Sequence, residues 1–325
     1  MPPTPHDALF KRVFSDPARA AAILRRILPP ELVARVDFDS LRLAPGSFVD
    51  PELRESHSDL LFELGIAGRG ALLYLLFEHQ SEPHPRMPWR LLKYQVRIWD
   101  DLLAKDTKLA LLPVIVPVVL HHGEGGWTAP RRMSELVDTG RLPELERFVP
   151  DFEFVLDDLQ GLSDEQLRQR AVDALGALAL WVLRDARDPG RLMLGMARWA
   201  AACRAVLEAP SGREALGAVF RYILLVAGQA SYERLWQVVV ETAGQEAGEV
   251  MLTIGEQLMR EGEARGEARG EARGKRLLLV RLLRAKFGEL DAGAVARVEA
   301  AEEEELDRWA ERVLVATRVD EVFGE

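Results

Sequence analysis

Two apolar runs carry acidic side chains where a buried strand would normally carry none. The first run spans residues 58–62 and contains Asp59, and the second spans residues 75–81 and contains Glu78 and Gln80. Both runs are predicted to be β-strands, along which successive side chains alternate between the two faces. Glu78 and Gln80 are therefore expected on one face, with Asp59 beside Glu78 if the strands pair.

Two carboxylates on paired strands predict a binding site for a divalent metal ion. Burial of a carboxylate costs free energy unless the charge is paired or bound to a metal. Carboxylate oxygens suit a hard cation such as Mg²⁺, which retains several water ligands. Such a cation polarises a phosphodiester and lowers the pKa of a bound water, which Gln80 is expected to orient. The alternative, a surface pair of Asp59 and Glu78, fits less well because apolar residues flank both.

Five motifs within residues 4–160 together carry a family resemblance. They are HDALFK (6–11), SDLL (58–61), EHQS (78–81), MPWRLLKY (87–94) and VLHHG (119–123). In this order they resemble the recombination-promoting nuclease (Rpn) family, also called the putative transposase, YhgA-like family. The Asp…Glu-x-Gln pattern looks like the PD-(D/E)XK nuclease core, with glutamine in the place usually held by lysine.

The resemblance implies a DNA endonuclease that depends on Mg²⁺ or another divalent cation and is linked to recombination or mobile elements. By position, Asp59 and Glu78 would bind the metal, and Gln80 would complete the catalytic set. Glutamine is usual in this family, and it offers dipoles where lysine offers a positive charge. Asp7 matches the place where such nucleases often carry an additional metal-binding carboxylate. The alternative for Asp7 is a capping box with Thr4.

Basic side chains on a predicted helix are candidates for contact with DNA. Within residues 89–103, Arg90, Tyr94 and Arg97 recur at the spacing of one helix face, and Lys93 lies beside them. Arginine binds phosphate through two parallel hydrogen bonds. The alternative is a solvated face with Tyr94 packed on the sheet.

Lys11 and the histidines are more ambiguous. Lys11 lies one turn after Asp7, and it either pairs with that carboxylate or contacts a DNA phosphate. The histidines show no spacing typical of zinc ligands. His121 and His122 close a predicted buried strand, where a hydrogen-bonded structural role is expected.

The first part of the chain alternates helix and strand signals. Thr4 and Pro5 open a helix, and a second helix is predicted for residues 18–28. Strands are predicted at 37–43, 58–64, 71–80 and 111–120, with a helix at 89–103 before the last strand. This order predicts an α/β core with both faces of the sheet covered. The resemblance implies a restriction-endonuclease-like (PD-(D/E)XK) core, a mixed sheet flanked by helices.

The second half of the chain is predicted to be all-helical. Helices are predicted at 165–184, 191–207, 213–227 and 246–259. We therefore expect a PD-(D/E)XK nuclease-like domain over residues 1–160, a helical region over 161–260, a Gly-Glu-Ala-Arg repeat segment over 261–275 and a small helical domain over 276–325.

The repeat segment has two interpretations. A four-residue period on a helix of 3.6 residues per turn arranges each residue type in a slowly drifting stripe. The small-residue stripes would let a partner helix approach closely, and the alternative is a solvated linker. Leu277, Val280, Leu283 and Phe287 recur near helical spacing, which predicts homodimerisation through residues after about 255.

Composition narrows the class of protein. The net charge is −10, with −1 in residues 1–125 and −9 in the remainder, so DNA binding would require a local basic patch. The single cysteine, Cys203, excludes a disulfide framework and fits a cytoplasmic location. The longest apolar run, residues 109–120, is too short for a membrane-spanning helix, and no membrane association is expected.

Two other functions are compatible with the sequence. One is a catalytically weak or inactive nuclease-fold protein that binds DNA, and the other is an oligomeric scaffold. The intact set of Asp59, Glu78 and Gln80 favours the nuclease.

Overall fold

The computed structural model describes residues 4–44, 60–66, 69–140, 142–228 and 232–324, and for residues 66, 69–80, 268, 269 and 303 it describes the backbone alone. The chain forms two compact units, Met1–Ile254 and Gly255–Glu325. The finer division into four regions stays a prediction.

The first unit begins as an α/β structure. Its elements are α1 Pro5–Phe14, α2 Pro17–Ile27, α3 Pro30–Val33, β1 Val36–Leu43, β2 Leu60–Ile66, β3 Arg69–Gln80, α4 Met87–Lys105, β4 Val114–His121 and β5 Val155–Asp158. The predicted strands and helices of this region agree with the structure to within a few residues. The short strand β5 was not predicted.

The five strands form one mixed sheet in the order β1-β2-β3-β4-β5. β1, β2 and β3 pair antiparallel, whereas β3, β4 and β5 run parallel. The carboxyl ends of three strands therefore meet at one edge of the sheet. β3 and β4 are joined by α4, as parallel strands require a crossover connection.

Helices cover the sheet on both faces. A hydrophobic cluster between α4 and the sheet includes Leu61, Leu91, Tyr94 and Val119. Neighbouring β4 residues alternate faces, and Val118 and Leu120 are also fully buried. Beyond β4, His122 donates to the carbonyl oxygen of Leu183 at 3.2 Å, which places helices of the later chain on that second face.

The remainder of the first unit is helical, which confirms the α/β class with a helical C-terminal half. Its helices are α5 Asp164–Arg170, α6 Ala174–Asp185, α7 Pro189–Glu208, α8 Gly212–Ala227, α9 Tyr232–Ala243 and α10 Gln245–Phe287, the last extending into the second unit. The single helix predicted at 165–184 is divided, because the Asp173 side chain caps a new helix by accepting from the amide of Gly176.

The Gly-Glu-Ala-Arg repeat is helical and lies within the 43 residues of α10. A methyl group added at Gly262, Gly266, Gly270 or Gly274 would meet nothing within 4 Å in the described chain. Both interpretations of the repeat remain open, because an exposed small-residue stripe suits either a solvated linker or a partner helix.

The second unit has its own hydrophobic core. Three of the apolar residues from which homodimerisation was predicted contribute to this core. Its further helices are α11 Ala292–Ala300, α12 Glu303–Val315 and α13 Val319–Phe323. Leu283 is fully buried in this core, and Val280 and Phe287 pack against it. Of the four apolar positions proposed for a dimer, Leu277 stays exposed. Leu283 is therefore not available to a partner, and Val280 and Phe287 are half-buried against the core of their own chain, so the spacing of these residues is explained by packing within one chain.

Within the described ranges, no helix combines the length and the apolar composition needed to cross a membrane. Cys203 is a buried free thiol, and burial raises its pKa to about 12.

Candidate functional site

The predicted catalytic residues of β3 lie at the carboxyl edge of the parallel strands. Glu78 is opposite Val119 of β4, and Gln80 is opposite His121, which is itself opposite Asp158 of β5. The described part of β2 begins with Leu60, which pairs with Phe77. Asp59 lies outside the described residues.

A histidine–aspartate pair completes this row across the sheet. His121 is fully buried, and its Nδ1 lies 3.2 Å from Oδ1 of Asp158. The other carboxylate oxygen of Asp158 accepts from the amide of Trp127 at 2.8 Å. The indole of Trp127 meets the imidazole of His121 edge-on. His121 therefore has the hydrogen-bonded structural role expected from the sequence.

A polar network joins the first helix to the same edge. His6, at the start of α1, lies with its Nδ1 2.9 Å from the hydroxyl of Tyr222 and its Nε2 3.0 Å from Nη2 of Arg187. The rings of His6 and His122 are 4.9 Å apart. Nη1 of Arg187 donates to the carbonyl oxygen of Ser81 at 3.0 Å. The HDALFK, EHQS and VLHHG motifs thus meet in space.

The glycine that follows the two histidines, Gly123, lies in close contact with the end of β3. A Cβ at this position would lie 2.1 Å from the carbonyl oxygen of Ser81 and 2.8 Å from Nε2 of His121. Only a residue without a side chain lets the turn after β4 approach the end of β3 so closely. Gly123 therefore permits close packing against Ser81, the residue directly after Gln80.

Asp7 and Lys11 lie on α1. The carboxylate of Asp7 accepts from the amide of Thr4 at 3.0 Å, and the Thr4 hydroxyl accepts from the amide of Asp7 at 3.2 Å. This capping box confirms the alternative interpretation of Asp7, whose role as a metal ligand stays a prediction. Lys11 is half-buried on the same helix, and its contact with DNA stays a prediction.

The structure corrects the predicted orientation of the α4 face. Arg90 and Tyr94 are buried, and Nε of Arg90 donates to the Tyr94 hydroxyl at 2.6 Å. Tyr94 packs in the hydrophobic cluster against the sheet, which matches the alternative interpretation and removes it from direct contact with DNA. Lys93 is exposed and Arg97 is half-buried, so Lys93 offers the more accessible charge for a phosphate.

A basic cluster lies at the start of α4. Burial lowers the pKa of His84 from its ordinary value of 6.5, and the charges of Arg90, Arg86 and Lys93 act in the same direction. Arg86 and Lys93 are exposed. This cluster is a local positive patch in a protein of net negative charge.

Binding of DNA beside this cluster is expected to raise the pKa of His84. Phosphate charges would offset the neighbouring cations and favour the protonated ring. NMR titration of the His84 ring protons, with and without duplex DNA in Ca²⁺, measures this change. In Lys93→Gln, the pKa of His84 in the free protein should already be higher. A His84 pKa that saturating DNA leaves unchanged would contradict DNA binding at this cluster.

No group of three or more histidine, cysteine, aspartate or glutamate side chains able to hold a metal ion occurs in the described part of the chain. Asp59 is outside that part, and Glu78 is described by its backbone. The predicted metal-ligand pair therefore stays a prediction.

Sequence reasoning missed three contributors to this edge of the sheet. Arg187 and Tyr222 lie beyond the predicted domain boundary at residue 160, and Asp158 lies in a strand of four residues. The adjacent acids of the Val155–Asp158 run could have signalled the end of a strand. A single arginine among helices gives no such signal.

A family model described as putative transposase, YhgA-like, matches residues 4–210. The chain belongs to this family. The match confirms the resemblance seen in the motifs, and it extends beyond residue 160 to include Arg187. No solved structure was found to match the chain.

Named relatives of this YhgA-like family member come from Escherichia coli. The chain is 31% identical to recombination-promoting nuclease RpnA of strain K12 over 261 residues, which cover 80% of this chain and 85% of that protein. It is 28% identical to the inactive recombination-promoting nuclease-like protein RpnE of the same strain, over 80% of this chain and 83% of the relative. Recombination-promoting nuclease RpnD of strain O157:H7 is 37% identical over 37% of this chain and 46% of its own length.

Proposed function

We propose that this YhgA-like family protein is a DNA nuclease that acts in recombination, depends on a divalent cation and has a PD-(D/E)XK-like core. The observation that carries the proposal is the row formed by Gln80, His121 and Asp158 at the carboxyl ends of β3, β4 and β5. Glu78 lies two positions before Gln80 on β3, so both residues belong to the same face of the sheet. The mixed sheet with helices on both faces is compatible with this core. The relatives RpnA and RpnD are named as nucleases, which supports the nuclease activity.

Asp59 and Glu78 are the proposed metal ligands. Their donor atoms are carboxylate oxygens, which fit Mg²⁺ better than a soft metal. When bound, the cation would polarise the scissile phosphate and lower the pKa of a water molecule. Asp7 is a further candidate ligand if it leaves its capping box with Thr4.

The proposed reaction is hydrolysis of a phosphodiester. The oxygen of a water molecule attacks phosphorus, the bond from phosphorus to one ester oxygen breaks, and that oxygen leaves with a proton. The products are a phosphomonoester end and a hydroxyl end. The amide of Gln80 would orient the water or the phosphate, and Lys11, Lys93 and Arg97 would hold the DNA backbone nearby.

A second candidate function is DNA binding without cleavage. Two relatives carry names that describe them as inactive, RpnE and a putative inactive recombination-promoting nuclease-like protein. Glutamine in place of lysine favours a slower reaction, because it places no positive charge beside the phosphate.

Binding and cleavage measured on one preparation distinguish the two functions. The nuclease should bind duplex DNA in Ca²⁺ and cleave it in Mg²⁺, and EDTA should stop the cleavage. Binding without cleavage at any divalent cation would favour the second candidate, and absence of binding would overturn both.

Added Mg²⁺ should stabilise the free protein. Two nearby carboxylates repel each other, and a ligand that binds only the folded state stabilises it by mass action. At about 100 times the dissociation constant this amounts to about 2.7 kcal/mol, which raises the melting temperature by about 5–10 °C for a unit of this size. Calorimetry of the wild type and of the Asp59→Ala/Glu78→Ala variant measures the effect. An equal response of both proteins would mean that the ion binds elsewhere.

A further inference from the structure

A half-buried arginine from the helical region reaches the end of β3. Arg187 lies between α6 and α7, and its Nη1 donates to the carbonyl oxygen of Ser81, the residue that directly follows Gln80. Its Nη2 donates to Nε2 of His6. The fold thus brings a guanidinium to the proposed catalytic strand from 106 residues away in sequence.

Neutral groups hold this guanidinium in place. Because arginine is only a donor, Nε2 of His6 must accept, and its Nδ1 then carries the proton and donates to the hydroxyl of Tyr222. Burial raises the pKa of Tyr222 well above its ordinary value, although the charge of Arg187 acts in the opposite direction. The hydroxyl therefore stays protonated and brings no compensating negative charge.

Two other arginines of the first unit that are not exposed have carboxylate partners. Arg170 pairs with Asp157, and Arg184 pairs with Asp164 and Asp185. Within the described ranges, no acidic side chain forms an ion pair with Arg187. A half-buried charge without a counter-charge is costly, and three of the five guanidinium N–H groups are not used by the bonds to Ser81 and His6. This arrangement suits an anionic ligand.

We propose that Arg187 binds a phosphodiester oxygen of DNA and supplies the positive charge that Gln80 lacks. This inference rests on the proposed function, because it assigns the phosphate of that site. His6 orients the guanidinium by accepting from it, and Ser81 fixes its distance from the end of β3. A helix connection outside the α/β core thereby contributes to the site.

Salt dependence of DNA binding tests the proposal without requiring cleavage. A fluorescent duplex is titrated with each protein in Ca²⁺ at several salt concentrations. The slope of log K against log[salt] is negative, and its magnitude grows with the number of phosphate contacts. Loss of one contact in Arg187→Gln should reduce that magnitude by about one unit. Affinity should fall about tenfold, the value of one charge-assisted hydrogen bond. Arg187→Lys should keep most of the slope.

Arg213→Gln is the matched control. It removes the same charge from the same unit, but Arg213 pairs with Glu246 and Glu249 on the surface, so its slope should equal that of the wild type. The Gln80→Lys/Arg187→Gln variant should regain the lost slope, since it restores a cation beside Ser81. An Arg187→Gln slope equal to that of the wild type would overturn the inference.

Labelling of the wild-type protein covers the case in which Arg187→Gln does not fold. Phenylglyoxal modifies accessible arginines, and mass spectrometry reports each site. DNA in Ca²⁺ should protect Arg187 and leave Arg213 reactive, whereas equal labelling of Arg187 with and without DNA would refute the contact. A protein that binds DNA through Arg187 yet cleaves none in Mg²⁺ would overturn the proposed nuclease function while supporting this inference.

Discussion

Glu78→Gln is expected to lower the rate of Mg²⁺-dependent DNA cleavage by about 10³-fold. The substitution keeps the size of the side chain and removes the negative charge that would hold the cation. A bound metal contributes several kcal/mol to stabilisation of the transition state, and each ~1.4 kcal/mol corresponds to a tenfold change in rate. Single-turnover cleavage of a labelled duplex measures the loss.

Glu63→Gln is the control for that result. Glu63 lies on β2 and pairs with Tyr74 of β3. Tyr74 precedes Glu78 by four positions on β3. The same chemical change there should leave the cleavage rate within about twofold, a difference of less than ~0.5 kcal/mol. Both variants should keep the wild-type melting temperature in EDTA. Glu78→Gln that cleaves at the wild-type rate would remove Glu78 from the metal site.

Gly123→Ala is expected to destabilise the first unit strongly. The new methyl group would overlap the carbonyl of Ser81 and the ring of His121; Ser81 is half-buried and His121 is fully buried. Overpacking of this kind costs about 1–3 kcal/mol, which lowers the melting temperature by about 2–12 °C for a unit of this size. Cleavage should also fall, because Ser81 must move and Gln80 precedes it.

Gly161→Ala provides the comparison. A Cβ at Gly161 meets no atom within 4 Å in the described chain, so the substitution should change stability by less than about 0.5 kcal/mol. Differential scanning calorimetry of both variants measures the difference. If Gly123→Ala melts at the wild-type temperature, the close approach of the two strand ends does not determine stability.

Much of the α/β core could be predicted because long apolar runs carry a clear period. The strands β1 to β4 and the helix α4 each show it. The start of α1 is marked by Thr4 as the N-cap and by Pro5 as the first helical residue. β5 was missed because four residues with two acids, Val155–Asp158, show no alternation that distinguishes a strand from a loop. The break within the helix predicted at 165–184 was also missed. In the sequence, an aspartate that caps a helix, as Asp173 does, looks the same as an aspartate exposed to solvent on a helix.

Periodicity identified the shared face of α4 and not its orientation. Arg90 and Tyr94 do recur on one face, but that face packs against the sheet, where burial of the aromatic ring stabilises the fold. The network at Arg187 could not be predicted, because its partners Ser81 and His6 lie 106 and 181 residues away. Long-range contacts of isolated polar residues leave no local pattern.

Conversion of supercoiled plasmid DNA tests the central claim most directly. Wild-type protein in Mg²⁺ is predicted to produce nicked or linear DNA, with none produced in EDTA and about 10³-fold slower conversion by Asp59→Ala. Conversion that continues in EDTA, or that proceeds at the wild-type rate in Asp59→Ala, would contradict a metal-dependent nuclease built on Asp59, Glu78 and Gln80.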